Sequence, residues 1–371
     1  MNRQLFLYIF AFCVICIFIP TTPCTSFLLK TLNNYFVYGR TCEWGLFDAQ
    51  ADLVLTPRNY TTTSDLGYGV KGMTWKAKYG YVAINGLGLP YYLDGMNETG
   101  LTVGGLYLPW FSQYQPLTKK HAKKSIHNFE MVGYLLGTFQ SVAEIKRELP
   151  KIYVVTNQEL SDKIHAPMPL HYVVTDKTGA SIVIEYTGSQ LHIYDNTTGI
   201  MTNSPDYNWH LTNLRNYTQL NPYAAGPSDR MLSGINFSPL SSGYGMAGLP
   251  GDYSSPSRFV RAFFYTHTSL PLKNVDDAIN QASRILNNFD YPKGIVRSGE
   301  SEKNFNLSYT QWSVIGDIKN KTYYWWTEWN RQMRKVDLKK INFTGTVRIK
   351  KPLDKKRAQA VEDRTGDFAA K

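Results

Sequence analysis

The feature that most constrains this 371-residue chain is one cysteine, Cys24, which directly follows a short apolar segment and heads a strand-like run from Thr25 to Leu32. Arg3 gives the preceding segment a positive start, Leu5 through Ile19 are almost all apolar, and Pro20-Thr21-Thr22-Pro23 ends it. This is the layout of a secretory signal over residues 1–23. A membrane anchor is the rival reading, but an apolar stretch of about 15 residues falls short of the roughly 20 that a bilayer-spanning helix needs. Cleavage before Cys24 would put a thiol and an α-amine on one residue, a nucleophile beside its own base, as acyl transfer through a covalent intermediate requires. Pro23 stands where a small residue is expected before the scissile bond, so either an upstream cut is trimmed or the precursor cuts itself at Cys24.

The remaining roughly 350 residues suffice for one large core, and without a second long hydrophobic run no stable membrane insertion is expected after the signal is removed. Of the four cysteines, Cys13 and Cys16 leave with the prefix, while Cys24 and Cys42 form neither a disulfide framework nor a metal-ligand spacing. No metal or cofactor is therefore expected. The net charge of +11 raises nucleic acid as a partner. Its excess, however, sits in Lys119-Lys120, Lys123-Lys124, Lys339-Lys340 and Arg348 to Arg357, runs that usually form solvated faces, and no nucleic-acid module accompanies them. A basic surface also attracts acidic substrates or anionic membranes. The 26 Tyr and 8 Trp owe most to strand preference and leave some for a ring-lined pocket.

Period-2 runs predict a hairpin, Thr25–Leu32 and Tyr35–Arg40 around Asn33-Asn34, then strands at Asp52–Thr56, Tyr81–Ile84 and Leu101–Leu106, with Asp94-Gly95 as a turn. Helical spacing runs from His127 to Leu149. Strands return at Leu170–Val174, Ser181–Tyr186 and Leu191–Tyr194. Helices follow at Arg258–Tyr265 and Val275–Asn287, the second capped by Asn274. Thr310–Ile315 and Thr322–Trp326 close one domain, residues 24–346. The alternating blocks read as an α+β sandwich rather than a βαβ repeat. Residues 347–371 form a basic tail, expected to be disordered from Lys350.

Seven strings then carry a family resemblance in order along the chain. They are Cys24-Thr25-Ser26-Phe27, Gly39 through Trp44, Asp94 through Leu101, Thr202-Asn203-Ser204-Pro205, Asn213 through Tyr217, Gly248 through Asp252 and Ser257 through Arg261. Together they resemble the choloylglycine hydrolase family, which contains penicillin V acylases and bile salt hydrolases, from Cys24 to about Phe343. The resemblance implies a four-layer αββα N-terminal nucleophile hydrolase sandwich and hydrolysis of amide bonds. Family members are often tetrameric, so a homotetramer is among the expectations.

The resemblance also assigns roles. Cys24 becomes the nucleophile with its α-amine as base, a pairing suited to a thiol near 8.5 and an amine of about 7.7–8.0. Arg40, at the end of the second hairpin strand, folds back beside Cys24 as a fixed cation favouring the thiolate; its bland role is a strand-end salt bridge. Glu43 stands where the family usually has an aspartate that orients the α-amine. Asn203 and the Tyr107 N–H map onto the oxyanion donors, although Asn203 also suits a plain turn. Penicillin acylases tend to have Tyr at the Tyr107 position and bile salt hydrolases Asn. Arg258 matches the second active-site arginine, and Arg261 reads as structural. Trp44, Trp110 and Phe111 suggest an apolar acyl pocket, with selecting loops around Gly45–Ala51, Pro109–Pro116 and Pro239–Gly248. His165, His171 and His267 are read as unpaired, ordinary histidines. The leading expectation is an exported, periplasmic or secreted cysteine amidase of penicillin V acylase type. Bile salt and N-acyl homoserine lactone cleavage compete within that class, and an exported basic binding protein is the non-catalytic alternative.

Overall fold

The computed structural model describes residues 23–45, 48–86, 88–164, 168–223, 231–236, 238, 242–301 and 304–368. The signal-like residues 1–22, parts of two selecting loops and His165 lie outside these.

Strands β1 (Cys24–Lys30) and β2 (Phe36–Trp44) form the expected hairpin, with Asn34 in the left-handed region at φ 57°. The chain then builds β3 (Asp52–Thr56), β4 (Tyr81–Asn85), β5 (Tyr92–Asn97), β6 (Thr102–Tyr107), β7 (Leu170–Thr175), β8 (Ser181–Thr187) and β9 (Gln190–Asp195). After two helices come β10 (Val296–Ser301), β11 (Asn304–Asp317), β12 (Thr322–Thr327), β13 (Arg334–Asp337) and β14 (Ile349–Pro352). One antiparallel sheet runs β1-β2-β11-β12-β13, with β10 paired to the first half of β11; the other runs β9-β8-β7-β6-β5-β4-β3-β14.

Side-chain alternation explains why these sheets stack. Along β4, Val82 and Ile84 join Met96, Val173 and Val183 against Phe27, Leu29, Val37 and Ile315 of the first sheet. Tyr81 and Ala83 point the other way, where Val103, Tyr172 and Ile184 meet helices α1 (Met131–Thr138) and α2 (Val142–Glu148). Helices α4 (Ser255–His267) and α5 (Val275–Asn287) pack Phe259, Ala262, Ala282 and Ile285 against β1 and β2; the short α3 (Tyr207–Asn213) precedes them. The result is the αββα sandwich. Asn274 caps α5 by accepting the Asp277 N–H at 2.9 Å.

Three local expectations are corrected. Asp94 and Gly95 lie inside β5, and the turn falls at residues 98–100, where Asn97 Oδ1 accepts the N–H groups of Thr99 and Leu101 at 3.0 and 3.1 Å. The helical stretch from His127 breaks after Thr138, because Ser141 leaves the helix to accept the Glu144 N–H and start α2. The tail is not disordered from Lys350. The edge of β3 offers unpaired backbone groups, and β14 satisfies them in antiparallel register. Leu353 is then buried, its carbonyl accepts Trp325 Nε1–H at 3.1 Å, and Asp354 accepts Thr327 Oγ1 at 2.8 Å. No helix among the described residues is long and apolar enough to cross a membrane.

Candidate active site

The hairpin register places Cys24 opposite Cys42 and Ser26 opposite Arg40. Because the Glu43 N–H donates to Pro23 O at 3.1 Å, the neighbouring Cys24/Cys42 pair is the non-hydrogen-bonded kind, in which side chains approach most closely. Arg40 is the diagonal neighbour on the same face, and its Nη2 reaches Cys24 Sγ at 3.6 Å. Its cross-strand neighbour Cys42, together with Arg40, holds the Cys24 thiol well below its ordinary range, although burial pushes it up. Cys42 shifts the other way, through Cys24 and burial.

Arg40 is fully buried, and a buried cation needs paired donors and a counter-charge, which reach it at Nη1 and Nη2, while Nε has no hydrogen-bond partner among the described residues. β5 and β6 pair only as far as Asp94 and Gly104, and the guanidinium enters where they part, donating to Leu93 O and to Gly105 O, the latter at 2.7 Å. Asp94 supplies the counter-charge at 3.2 Å and accepts hydroxyl bonds from Tyr38 at 2.7 Å and Tyr323 at 2.6 Å. Gly104 makes room for this cluster, since a Cβ there would lie 2.4 Å from the Tyr38 hydroxyl. The Trp312 ring covers the cation at 5.0 Å.

On the other side of Cys24, Asn203 Oδ1 accepts the Cys24 N–H at 2.7 Å and Arg258 Nη2 at 2.6 Å, while Asn203 Nδ2 donates to Tyr107 O at 2.7 Å. Arg258 also donates to Cys24 O, Thr25 Oγ1 and Tyr253 O, which ties α4 to the start of β1. Glu43 is fully buried; its Oε1 accepts Thr310 Oγ1 at 2.8 Å and its Oε2 has no hydrogen-bond partner among the described residues. Burial, and then charge on Cys24, push this carboxyl up, with Arg258 opposing. Arg261 instead holds the carbonyls of Pro250 and Asp252, a structural task. Cys24, Arg40, Glu43, Tyr107, Asn203 and Arg258 are thus brought together.

Sequence reading missed Asp94, Tyr38, Tyr323, Cys42 and two histidines. His171 is not unpaired: its Nδ1 lies 2.9 Å from Glu185 Oε1 across the β7–β8 pair. His210 is buried and stacked on Phe259 at 4.6 Å. Burial pushes it down to about 4 from 6.5; the Asn203 carbonyl opposes this, His171 and Arg258 add to it, and Asp206 opposes it. Between those values the unfolded chain binds a proton that the folded chain refuses. The stability is therefore whole above about pH 6.5 and falls as pH drops, by a total approaching about 3 kcal/mol. Urea midpoints at pH 7 and 4.5 should show a larger loss for the wild type than for His210→Gln. Equal losses would remove this assignment.

Two cavities are lined by neighbours of Cys24, though not by Cys24 itself. One is an apolar slit lined by Cys42, Trp44, Leu89, Tyr91, Leu93, Phe129, Met168 and Leu170, with free volume of about 30 Å³. The other, about 370 Å³, is bounded by Pro23, Trp110, Asn203, Ser204, Tyr253 and Arg258. Trp44 and Trp110 therefore face different cavities, and Phe111 lines neither. Trp110 sits in the left-handed region at φ 66°, where a bulky residue is an outlier.

Residues 24–351 match the model of the choloylglycine hydrolase family, described as linear amide C–N hydrolases. The chain is 33% identical over 338 residues to a bile salt hydrolase/transferase of Lactiplantibacillus plantarum, covering 89% of this chain and 97% of that protein. Among solved structures it is similar to a variant of the conjugated bile acid hydrolase from Clostridium perfringens, with TM-score 0.78, 26% identity and coverage of 92% of this chain and 100% of that one. It is also similar to the penicillin V acylase from Agrobacterium tumefaciens, with TM-score 0.71, 25% identity and coverage of 89% and 92%. The chain belongs to the choloylglycine hydrolase family and is a hydrolase of linear amide C–N bonds.

Proposed function

We propose that this protein is an exported cysteine amidase of penicillin V acylase type, in which removal of the residues before Cys24 frees the α-amine that serves as base. The observation that carries this reading is the Cys24 sulfur held beside Arg40 and Cys42, ready to ionise. Glu43 Oε2, buried without a hydrogen-bond partner among the described residues, is suited to receive the new ammonium group. The thiolate attacks the amide carbonyl, Asn203 Nδ2 and the Tyr107 N–H bind the oxyanion, and the amine returns the proton to the leaving nitrogen. Water then hydrolyses the thioester.

The lining of the slit, which as it stands has room for only about one water, is apolar and so favours a slender aryl or straight acyl chain over a hydroxylated steroid, because each steroid hydroxyl buried there without a partner costs about 1–3 kcal/mol. With mature protein, kcat/KM for penicillin V or a long-chain N-acyl homoserine lactone should exceed that for glycocholate by at least about tenfold, equivalent to 1.36 kcal/mol. The similarity to a bile salt hydrolase/transferase favours the second reading, bile salt hydrolysis. Glycocholate as the better substrate would select it and leave the amidase mechanism standing. Export and a homotetrameric assembly belong to the same proposal. The intact mass of the secreted form, which should begin at Cys24, and light scattering read them.

A further inference from the structure

The chain after β9 meets β1 at one residue, Met201, which exchanges backbone hydrogen bonds with Ser26. The next two residues are instead held by side chains. The Asn203 N–H donates to Ser255 Oγ at 2.9 Å, and its carbonyl accepts from His210 Nε2 at 2.8 Å. The Thr202 carbonyl accepts from His171 Nε2 at 3.0 Å, and the other nitrogen of that ring faces Glu185 Oε1 at 2.9 Å. Glu185 also accepts the N–H of Tyr207, the first residue of α3. His171, Glu185 and His210 are each no more than 2% exposed.

Two buried imidazoles on successive carbonyls exceed what a loop turn requires, since water or a hydroxyl would satisfy those oxygens. Thr202 O can only accept, so a His171 proton sits on Nε2, and Nδ1 of the same ring is held against Glu185 Oε1. The His210 proton likewise sits on Nε2, because Asn203 O can only accept. Each ring therefore has one productive orientation, and the peptide between the carbonyls is fixed on both sides. The Asn203 side chain leaves from that peptide, and donors to an oxyanion act only when held to within about 0.5 Å and 10–20°.

We propose that His171, backed by Glu185, and His210 are positioning residues that aim the Asn203 amide at the oxyanion. This rests on the reading of Asn203 as an oxyanion donor. Misplacement of such a group by about 1 Å costs up to about 100-fold in rate. His210→Phe keeps a ring on Phe259 and removes the donor, whereas His210→Gln retains a donor.

The experiment measures amide hydrolysis beside alkylation of Cys24 by iodoacetamide, a reaction that needs the thiolate and no oxyanion donor. His210→Phe should lower kcat by about 10- to 100-fold with KM within about twofold. His210→Gln should regain most of kcat, and alkylation should stay at the wild-type rate in both. His171→Gln, which keeps an amide for Thr202 O, compared with His171→Leu gives a second pair should His210→Phe not fold. Unchanged kcat in the donor-free variants, or alkylation falling in step with hydrolysis, would overturn the proposal. Asn203→Ala separates the two levels. If that variant keeps full kcat, the oxyanion reading fails; if it slows while the donor-free histidine variants do not, only the positioning role fails.

Discussion

Cys24→Ser is expected to lose amide hydrolysis by at least about four orders of magnitude while the protein stays folded. A hydroxyl is far harder to ionise than a thiol, and neither the Arg40 cation at 3.6 Å nor the neighbouring Cys42 makes up that gap. Folding should be spared, because the side chain keeps its shape and β1 stays registered on β2 through seven residue pairs. The test is turnover of the preferred N-acyl substrate beside a thermal melt. Wild-type turnover in a folded Cys24→Ser protein would remove the nucleophile assignment.

Arg40→Met should fail in two separable ways. It removes the cation beside the sulfur, so kcat/KM should fall by orders of magnitude, and it leaves Asp94 buried without its counter-charge. Losing one partner of a buried pair typically costs about 3–5 kcal/mol. Burial already pushes the Asp94 carboxyl up, and without Arg40 it rises further. A carboxyl whose folded pKa is raised destabilises the fold above its unfolded value. The penalty should therefore shrink as pH falls and Asp94 takes a proton, with Tyr38 and Tyr323 still bonded to it. Adding Asp94→Asn to Arg40→Met should restore much of the stability at neutral pH and none of the activity. Urea unfolding and steady-state kinetics of the single and double variants check both halves, and a stable, active Arg40→Met protein would refute them.

The parts of the site that were legible in the sequence are those defined by local strings or by hairpin arithmetic. Arg40 was placed beside Cys24 because the chain reverses at Asn33-Asn34, and the same register puts Cys42 opposite Cys24. His171 and Glu185 were legible in the same way, since continuing the β7–β8 register beyond Tyr172 and Ile184 brings them face to face. Asp94 was not. An Asp-Gly pair has strong local turn chemistry, and only the tertiary need of a buried Arg40 keeps it in a strand, a need with no sequence signature near residue 94. His210 stacks on Phe259 from a different helix, a pairing that no periodicity announces.

The last strand gives the basic tail a different meaning. The larger sheet ends on Ile349-Lys350-Lys351-Pro352, four exposed residues with no strand beyond them among the described residues. An open edge is a template for another copy of the chain, and lysine charges with a proline that lacks an N–H are the usual deterrents. Lys350 is also tied back to Asp52 at 2.8 Å. The cationic run that first suggested an anionic partner works here as a seam finish. It closes the sheet against its own kind, and part of the chain's positive charge is thereby accounted for by solubility rather than by attraction.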